Sequence, residues 1–255
     1  MYYHEKISGQ GEISKISDPE GVSISYEYDT TTGDRTKIKD VEGNATLFEY
    51  DVRGNITKIT DPLANSVRFS YDTHDNLTSL VDPADNTYIY GYNEKDELIN
   101  IIDPRNGTTT FTYNVYGEVK TLKDAKKQLT TFTYDSQGNL KSMKTPGGTD
   151  SYAYDEIGRV ISHTDPGTNT TQYKYDNLNH LTEVTYPDGF VKYYNRDCCV
   201  LSSIIDRNGT LTFEYDDLKR LKTFTDVYGK KVSYEYDKSG NLITLTYPGG
   251  KTVKL

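Results

Sequence analysis

The fold can be predicted from one segment, Tyr134-Asp135-Ser136-Gln137-Gly138-Asn139-Leu140, which continues as Lys-Ser-Met-Lys-Thr to Pro146-Gly147. It reads as a turn, a short strand and a second turn. Glycine supplies the positive φ that a tight turn requires, and the aspartate before it can accept hydrogen bonds from the backbone of its own turn. The residues between the two turns have the usual length of a β-strand. The stretch therefore predicts a β-hairpin unit.

The same unit recurs along the whole chain. Its marks are Tyr-Asp or Tyr-Asn pairs, separated by 22, 21, 21, 21, 21, 20, 21, 19, 21 and 21 residues. Such regular self-similarity indicates a repeat architecture with two strands in each period. The repeat tyrosines are Tyr28, Tyr50, Tyr71, Tyr92, Tyr113, Tyr134, Tyr154, Tyr175, Tyr194, Tyr215 and Tyr236. The repeat aspartates are Asp29, Asp51, Asp72, Asp135, Asp155, Asp176, Asp216 and Asp237, with turn glycines Gly54, Gly138 and Gly240.

Alternation within the segments before each repeat tyrosine identifies them as strands. Val67, Phe69 and Tyr71 fall on one face at a period of two, and their neighbours Arg68 and Ser70 fall on the other. Such alternation would spread apolar groups around the whole circumference of a helix. We therefore expect an all-β fold of tandem antiparallel β-hairpin repeats, about 21 residues each.

The exceptions to the regular spacing fall at turns. Five units carry Asp-Pro at the second turn, and Asn106-Gly107 adds the dipeptide of a type I′ hairpin. The intervals of 20 and 19 residues coincide with Thr145-Pro-Gly-Gly148 and Tyr186-Pro-Asp-Gly189, which we interpret as tighter turns. In the shortest unit, Asn195-Arg-Asp197 replaces the usual turn, Cys198 takes the glycine position, and Lys192 stands where a partner aromatic is expected. We expect a local kink there.

The array predicts a single continuous domain, residues 1–255, of about twelve units. The first unit, with Ile7 in place of the tyrosine, is degenerate, and the last stops before its expected tyrosine. Because sheets twist and rarely stay flat beyond about ten strands, we expect a curved, coiled sheet or a partial hollow shell. Unpaired strand edges at the ends favour self-association.

Composition excludes several classes of protein. The chain is 34% hydrophobic with a mean hydropathy of -0.74, but its 24 Tyr and 7 Phe favour order over disorder. A net charge of -9 with scattered basic residues disfavours nucleic acid as a partner. The sequence lacks an apolar run of the roughly 20 residues that span a membrane as a helix. The adjacent Cys198 and Cys199 provide no disulfide framework.

The candidate chemical groups follow the repeat. The carboxylates recur at turn positions, where capping requires them, and no pair departs from that pattern as a glycosidase would need. The 21-residue period does not match that of calcium-binding β-rolls, and the histidines lack zinc-site spacing. We therefore expect no catalytic residue, no metal, no cofactor and no enzyme activity. A reactive thiol at Cys198 has no histidine nearby in sequence to activate it.

The unit from Tyr134 to Gly147, and its variant with Asp61-Pro62, resembles the YD repeat of the Rhs (rearrangement hotspot) family. The family includes polymorphic toxins, the BC component of Tc toxins, wall-associated bacterial proteins and teneurins. The resemblance covers essentially the whole chain and implies a strip of β-hairpins that spirals into a hollow shell around a C-terminal toxic domain. The Asp-Pro-x-Gly-Leu motif that closes the family's shell does not occur here. Neither the cleavage residues nor the cargo therefore carry over.

The leading functional hypothesis is a structural scaffold, a segment of an Rhs-type shell that encapsulates a toxin or effector domain. Its partners would be that enclosed domain or the remainder of a longer shell. The alternative is a cell-surface adhesion or carbohydrate-binding module, because rows of tyrosine can stack on sugar rings or contact a surface protein. The family resemblance implies a secreted or cell-surface location, although the chain shows no targeting signal.

Overall fold

The computed structural model of the protein describes residues 3–6, 13–18 and 21–255. Every regular element in these ranges is a β-strand, which confirms the predicted all-β fold class. The predicted degenerate mark at Ile7 lies outside the described residues. Most strands are five to seven residues long, as expected for chain segments held between turns every ten residues or so.

The chain forms two compact units, Met1–Thr130 and Thr131–Leu255. The first contains β1 (Tyr3–Lys6), β2 (Ile13–Ser17), β3 (Ser23–Tyr28), β4 (Arg35–Lys39), β5 (Ala45–Tyr50), β6 (Ile56–Thr60), β7 (Ser66–Tyr71), β8 (Leu77–Val81), β9 (Thr87–Tyr92), β10 (Leu98–Ile102), β11 (Thr108–Tyr113) and β12 (Val119–Lys123). The second contains most of β13 (Leu129–Tyr134) and all of β14 (Leu140–Thr145), β15 (Gly148–Tyr154), β16 (Val160–Thr164), β17 (Thr170–Tyr175), β18 (Leu181–Thr185), β19 (Val191–Asp197), β20 (Val200–Asp206), β21 (Gly209–Tyr215), β22 (Leu221–Thr225), β23 (Lys231–Tyr236), β24 (Leu242–Thr246) and β25 (Thr252–Lys254).

Within each unit, every strand pairs antiparallel with the next strand in sequence. In the first unit this holds from β1 to β12. In the second it holds from β13 to β25. The predicted organisation as tandem antiparallel hairpins is therefore confirmed. Short turns make this the natural topology, since parallel strands would need long crossovers.

A β-bulge recurs in the hairpin that carries the repeat tyrosine. In β5 and β6, Glu49 pairs with Lys58 but Tyr50 pairs with Ile56, so that Thr57 is the extra residue. The same shift precedes the tyrosine in the equivalent hairpins of both units. A bulge re-aims the side chains beside it and increases the local twist. Here it falls next to the repeat tyrosine in every equivalent hairpin.

The packing is that of a single layer. Only Val184 and Thr223 are buried among the described residues, and the aromatic residues of the strands are mostly half-buried. Stability in such a layer comes from cross-strand pairs and from neighbouring hairpins rather than from a central core.

Three hairpin loops contain only two residues. The predicted tighter turn between Thr145 and Gly148 is confirmed, since these two residues pair directly across Pro146-Gly147. The other two short loops join Asp197 to Val200 and Asp206 to Gly209. Both loops follow Tyr194 in the sequence, so they lie outside the 19-residue interval between Tyr175 and Tyr194.

The interpretation of Tyr186-Pro-Asp-Gly189 as a tighter turn is wrong. The Tyr186 N–H donates to the carbonyl of Phe190 at 2.8 Å, and the Gly189 N–H donates to the Tyr186 carbonyl at 2.9 Å. These are the two backbone bonds of the ordinary Asp-Pro turn. Pro187 fixes its own φ, and Gly189 supplies the positive φ of 82° at the usual glycine position. The turn therefore keeps its full length although Tyr186 stands at the first position in place of aspartate.

The Asn106-Gly107 dipeptide also differs from expectation. Asn106 has a φ of 62° and occupies the single left-handed position of the ordinary turn, whereas Gly107 follows as its last residue. The Asp103 N–H donates to the carbonyl of Gly107 at 2.9 Å, which closes a longer loop than a type I′ turn. Asparagine tolerates this left-handed conformation because its short polar side chain is compatible with it.

Candidate functional site

One side of the paired strands carries the repeat tyrosines, the residues two positions before them and their cross-strand partners, and we call it the tyrosine face. In the first unit it includes Phe48 paired with Ile59, and Phe69 paired with Leu80. Each partner pairs in turn with the following strand, as Ile59 does with Val67. Rows of apolar and aromatic side chains therefore run from strand to strand across each unit.

The hydroxyl groups of the repeat tyrosines connect successive hairpins. Tyr71 Oη donates to the carbonyl of Ile56 at 2.9 Å, and Ile56 is the cross-strand partner of Tyr50 in the preceding hairpin. The half-buried tyrosine ring thus has its hydroxyl group satisfied by a hydrogen bond. Phenylalanine lacks this hydroxyl and could not link the two hairpins in the same way. The same bond, at 2.7–3.0 Å, joins Tyr28 to Ile13, Tyr50 to Arg35, Tyr92 to Leu77, Tyr113 to Leu98, Tyr154 to Leu140, Tyr175 to Val160, and Tyr236 to Leu221.

Burial raises the pKa of Tyr71 and of several equivalent phenols, which stay neutral donors at physiological pH. The equivalent phenols with a raised pKa are Tyr50, Tyr92, Tyr113 and Tyr154. Two further repeat tyrosines, Tyr134 and Tyr215, occupy the same register, opposite Leu140 and Leu221. The five phenols with a raised pKa serve as structural hydrogen-bond donors.

Aspartates hold both turns of a hairpin unit in the same way. In the first turn, Asp51 Oδ1 accepts from the N–H groups of Arg53 at 2.9 Å and Asn55 at 3.0 Å. In the second turn, Asp61 Oδ1 accepts from the N–H groups two and four residues ahead at 2.9 and 2.8 Å. Gly54 has a φ of 89° at the fourth position of its turn. One five-residue turn is therefore used twice in each regular unit.

The other repeat aspartates and glycines occupy these turns too. The carboxylates of Asp29, Asp72, Asp135, Asp155, Asp176 and Asp216 accept from the N–H two residues ahead, and that of Asp237 accepts from the N–H four residues ahead. Gly138 and Gly240 have φ angles of 84° and 90°. Where the sequence lacks glycine, residues such as Ala64 and Lys127 adopt the same left-handed conformation. The turn's hydrogen bonds thus overcome the preference of a non-glycine residue for negative φ.

We expect acid to weaken the turns. A hydrogen bond from the Asn139 side chain, with further bonds from the backbone, holds the pKa of Asp135 below the ordinary aspartate value of 3.8. A depressed folded-state pKa contributes stability that is present above about pH 4 and is lost as pH falls through the folded value. NMR titration of the Asp135 carboxyl should show this low pKa, and urea midpoints should fall between pH 4 and pH 2. An Asp135 pKa at or above 3.8 would contradict the prediction.

Side chains also join the Tyr-Asp turns of successive hairpins. Arg159 donates to Asp155 Oδ2 at 2.6 Å, to the carbonyl of Asp176 at 3.1 Å and to Asn179 Oδ1 at 2.9 Å. Its guanidinium also lies 4.8 Å from the centre of the Tyr175 ring. Arg220 repeats this arrangement with Asp216, Asp237 and Tyr236. Arginine at the last turn position therefore locks one turn to the next.

In the first unit, asparagine and histidine make the same kind of connection. Asn55 donates to Asp75 and Asn76 donates to Asp96, both at 2.7 Å. His74 Nδ1 lies 2.9 Å from Asp96 Oδ1, and this hydrogen bond raises the pKa of His74. His74 therefore belongs to the turn network.

The hairpin of β19 and β20 departs from the repeat. Arg196 pairs with Leu201 directly after the β-bulge, which is the register that Tyr215 has with Leu221. Arg196 therefore occupies the position of a repeat tyrosine, and the assignment of Tyr194 to that position is wrong. Tyr194-Asn195 has the sequence of a repeat pair, but β19 continues through Asp197 before the chain turns.

The neighbouring assignments change accordingly. Tyr194 pairs with Ile204 and is itself the partner aromatic, so Lys192 does not replace one. Residues 195–197 belong to β19 and form no turn. The turn consists of Cys198-Cys199, where Cys198 has a φ of 58°. Both thiols are free and exposed, and the hydrogen bond with Cys199 raises the pKa of Cys198.

The tyrosine face of β19, consisting of Lys192, Tyr194 and Arg196, we call the β19 basic face. Lys192 Nζ lies 5.3 Å from the centre of the Tyr194 ring. Arg196 Nε is buried and lacks a hydrogen-bond partner among the described residues. Beside Lys192 is a depression of about 170 Å³, also lined by Tyr186, Phe190 and Arg207. Arg207 lies 4.5 Å from the Phe190 ring centre and forms an ion pair with Asp188.

A polar group also interrupts the tyrosine face between β15 and β16. His163 Nε2 lies 2.8 Å from Asp150 Oδ1, and its ring stacks on Tyr152 with centroids 4.7 Å apart. Tyr152 and His163 are direct cross-strand partners. No sequence motif predicts this contact, because only the strand register brings Asp150 and His163 together.

The described parts of the chain contain no cluster of three or more His, Cys, Asp or Glu side chains arranged to hold a metal ion. They also contain no helix long and apolar enough to cross a membrane.

Comparison with known proteins identifies the family. Residues 30–66, 50–87, 116–150, 154–191 and 215–252 match the RHS repeat, and together these segments cover more than half of the chain. The protein therefore belongs to the RHS repeat family. No match was found among curated proteins.

Solved structures of Tc toxin complexes are similar to this chain. The crystal structure of TcdB2-TccC3 matches with 14% identity and a TM-score of 0.53, covering 96% of this chain and 16% of that one. TcdB2-TccC3-Cdc42 matches with 14% identity and a TM-score of 0.48 over 99% of this chain and 19% of that one. A Photorhabdus luminescens Tc holotoxin pore with a TccC3 mutation matches with 15% identity and a TM-score of 0.47, covering 96% and 19%. The chain thus spans less than a fifth of these proteins' length, and the first match shows a shared fold.

Proposed function

We propose that this structural repeat scaffold is a segment of a shell wall that encloses a toxin or effector domain. The observation that carries the proposal is the single-layer construction. Each unit is one sheet with most of its strand aromatic side chains on one face, and almost none of its described residues are buried. A layer of this kind suits a wall better than a compact enzyme, because a binding pocket is normally built between elements that pack around it.

The remaining parts of the proposal concern the whole protein. We propose that residues 1–255 form one continuous array and that the rest of the shell and the enclosed domain are its partners. We also propose that the protein acts outside the cell that makes it. Membership of the RHS repeat family and the fold shared with TcdB2-TccC3 support this. The repeat residues provide architecture, and the proposal assigns no catalytic role to them.

Limited proteolysis of the full-length gene product tests the enclosure. A segment outside the repeats should resist protease in the native protein, and it should be cleaved at the same protease concentration when it is produced alone. A full-length product that contains no segment beyond the repeats, or one whose extra segment is cleaved equally fast in both forms, would overturn the proposal.

The alternative is a carbohydrate-binding or surface-adhesion module. It is favoured by one observation, the polar group of Asp150, His163 and Tyr152 on a half-exposed aromatic face. A flat ring beside a hydrogen-bonding pair is suited to a sugar ring. Glycan-array binding that is lost in a Tyr152→Ala variant would support this alternative, and a blank array would count against it.

A further inference from the structure

We propose that the β19 basic face binds an extended acidic peptide segment whose carboxylates pair with Lys192 and Arg196. The inference rests on the proposed enclosure of a polypeptide. It specifies that the segment of this polypeptide in contact with β19 is acidic and extended.

The first argument is the state of Arg196. It stands at the register position where the regular hairpins have a tyrosine hydroxyl donating to the preceding hairpin. Its Nε is buried without a partner, and its side chain forms no hydrogen bond or ion pair with the described part of the chain. A charged side chain without a partner is costly, and because Arg196 as a whole is only half-buried, an added carboxylate can form charge-assisted bonds with the rest of its guanidinium group. Arg159 and Arg220 in the same unit both have such carboxylate partners.

The second argument is Lys192, four residues earlier on the same face of the same strand. Its ammonium group packs over the Tyr194 ring and has no ion pair among the described residues. The nearby acidic groups have other partners: Asp188 pairs with Arg207, and Asp206 accepts a hydrogen bond from the Asn208 N–H at 2.8 Å. Asp197 follows Arg196 directly and falls on the opposite face of the strand. Two cations thus remain unneutralised on one strand face.

The third argument is complementarity of charge and spacing. The chain carries a net charge of -9, so two unpaired cations on its aromatic face stand out against the overall charge. At roughly 3.3 Å per residue, positions four apart on a strand are about 13 Å apart and share one face. A peptide in the same extended conformation presents acidic residues to both cations when they too are four apart. An aromatic residue midway between them would meet the Tyr194 ring.

Fluorescence anisotropy with the 255-residue chain provides the test. The probe is a labelled peptide containing Glu-Thr-Tyr-Thr-Glu, and the control peptides replace both Glu by Gln or move one Glu to a spacing of three. We expect the first peptide to bind at low ionic strength, with affinity at least about tenfold above both controls and weakened by salt. Lys192→Gln and Arg196→Gln should each reduce this affinity. Lys174→Gln, which removes a cation already paired with Glu183, should not.

Arg196→Tyr separates binding from folding. It restores the residue type of the regular hairpins, so we expect a higher unfolding midpoint together with the loss of peptide binding. Equal affinity for the Glu and Gln peptides, no binding up to millimolar concentration, or unchanged affinity in Arg196→Tyr would overturn the inference. These outcomes are independent of the proteolysis test, because peptide binding is measured on this chain alone and enclosure is measured on the full-length product.

Discussion

Replacing Tyr71 by alanine should destabilise the first unit by about 3 kcal/mol, in the range of large-to-small changes at packed aromatic positions. The substitution removes a half-buried ring opposite Leu77 and the hydroxyl bond to the Ile56 carbonyl. The ring and the hydroxyl bond both stabilise the contact of Tyr71 with neighbouring strands. In a single-layer array, no central core makes up for the loss of such contacts. Urea unfolding followed by circular dichroism measures the effect as a shift in midpoint.

Tyr71→Phe is the matched control, because it keeps the ring and removes the hydroxyl. We expect a loss of about 1 kcal/mol, the usual net value of one intramolecular hydrogen bond. Tyr236→Ala, one hairpin from the last strand of the second unit, should cost less than Tyr71→Ala because fewer hairpins lie beyond it. Equal losses for Tyr71→Ala and Tyr236→Ala would contradict a nearest-neighbour array.

The hairpins could be predicted from sequence because the information that specifies them is local. A turn such as Asp135 to Asn139 is held by the aspartate's own hydrogen bonds, and its glycine has the required φ. The alternation before each tyrosine then assigns the faces without any knowledge of long-range contacts. Fold class, strand number in each repeat and the tyrosine face all follow from these two local signals.

The register of the irregular unit could not be predicted in the same way. The 19-residue interval from Tyr175 to Tyr194 points to a shortened turn before Tyr194, whereas the two shortened loops follow it. The Tyr-Asn pair at Tyr194 suggested the wrong repeat position. Only the pairing of Arg196 with Leu201 shows that Arg196 stands at the position of a repeat tyrosine. The unpartnered Nε of Arg196 and the contact between His163 and Asp150 depend on neighbours in other strands. The candidate site therefore lies where the local rule of the repeat fails.

A second large effect is expected at the Pro146-Gly147-Gly148 turn. Gly148 has a φ of 134°, which side chains rarely permit, and a Cβ there would lie 2.5 Å from Pro166 Cβ in the next turn. Backbone strain of this kind costs on the order of 1–3 kcal/mol, and the overlap with Pro166 adds a penalty of similar size. We therefore expect Gly148→Ala to destabilise the second unit by about 3 kcal/mol in urea unfolding.

The adjacent glycine is the control for this prediction. Gly147 does not require positive φ, and a Cβ there would meet Thr145 Oγ1 at 3.6 Å, an ordinary contact. Gly147→Ala should therefore stay within about 0.5 kcal/mol of the parent, as surface substitutions usually do. The two variants differ by the same methyl group in the same two-residue hairpin, so a difference between them isolates the conformation of Gly148 and its approach to Pro166. If both substitutions shift the urea midpoint equally, the close approach of the two turns does not constrain the shortened hairpin.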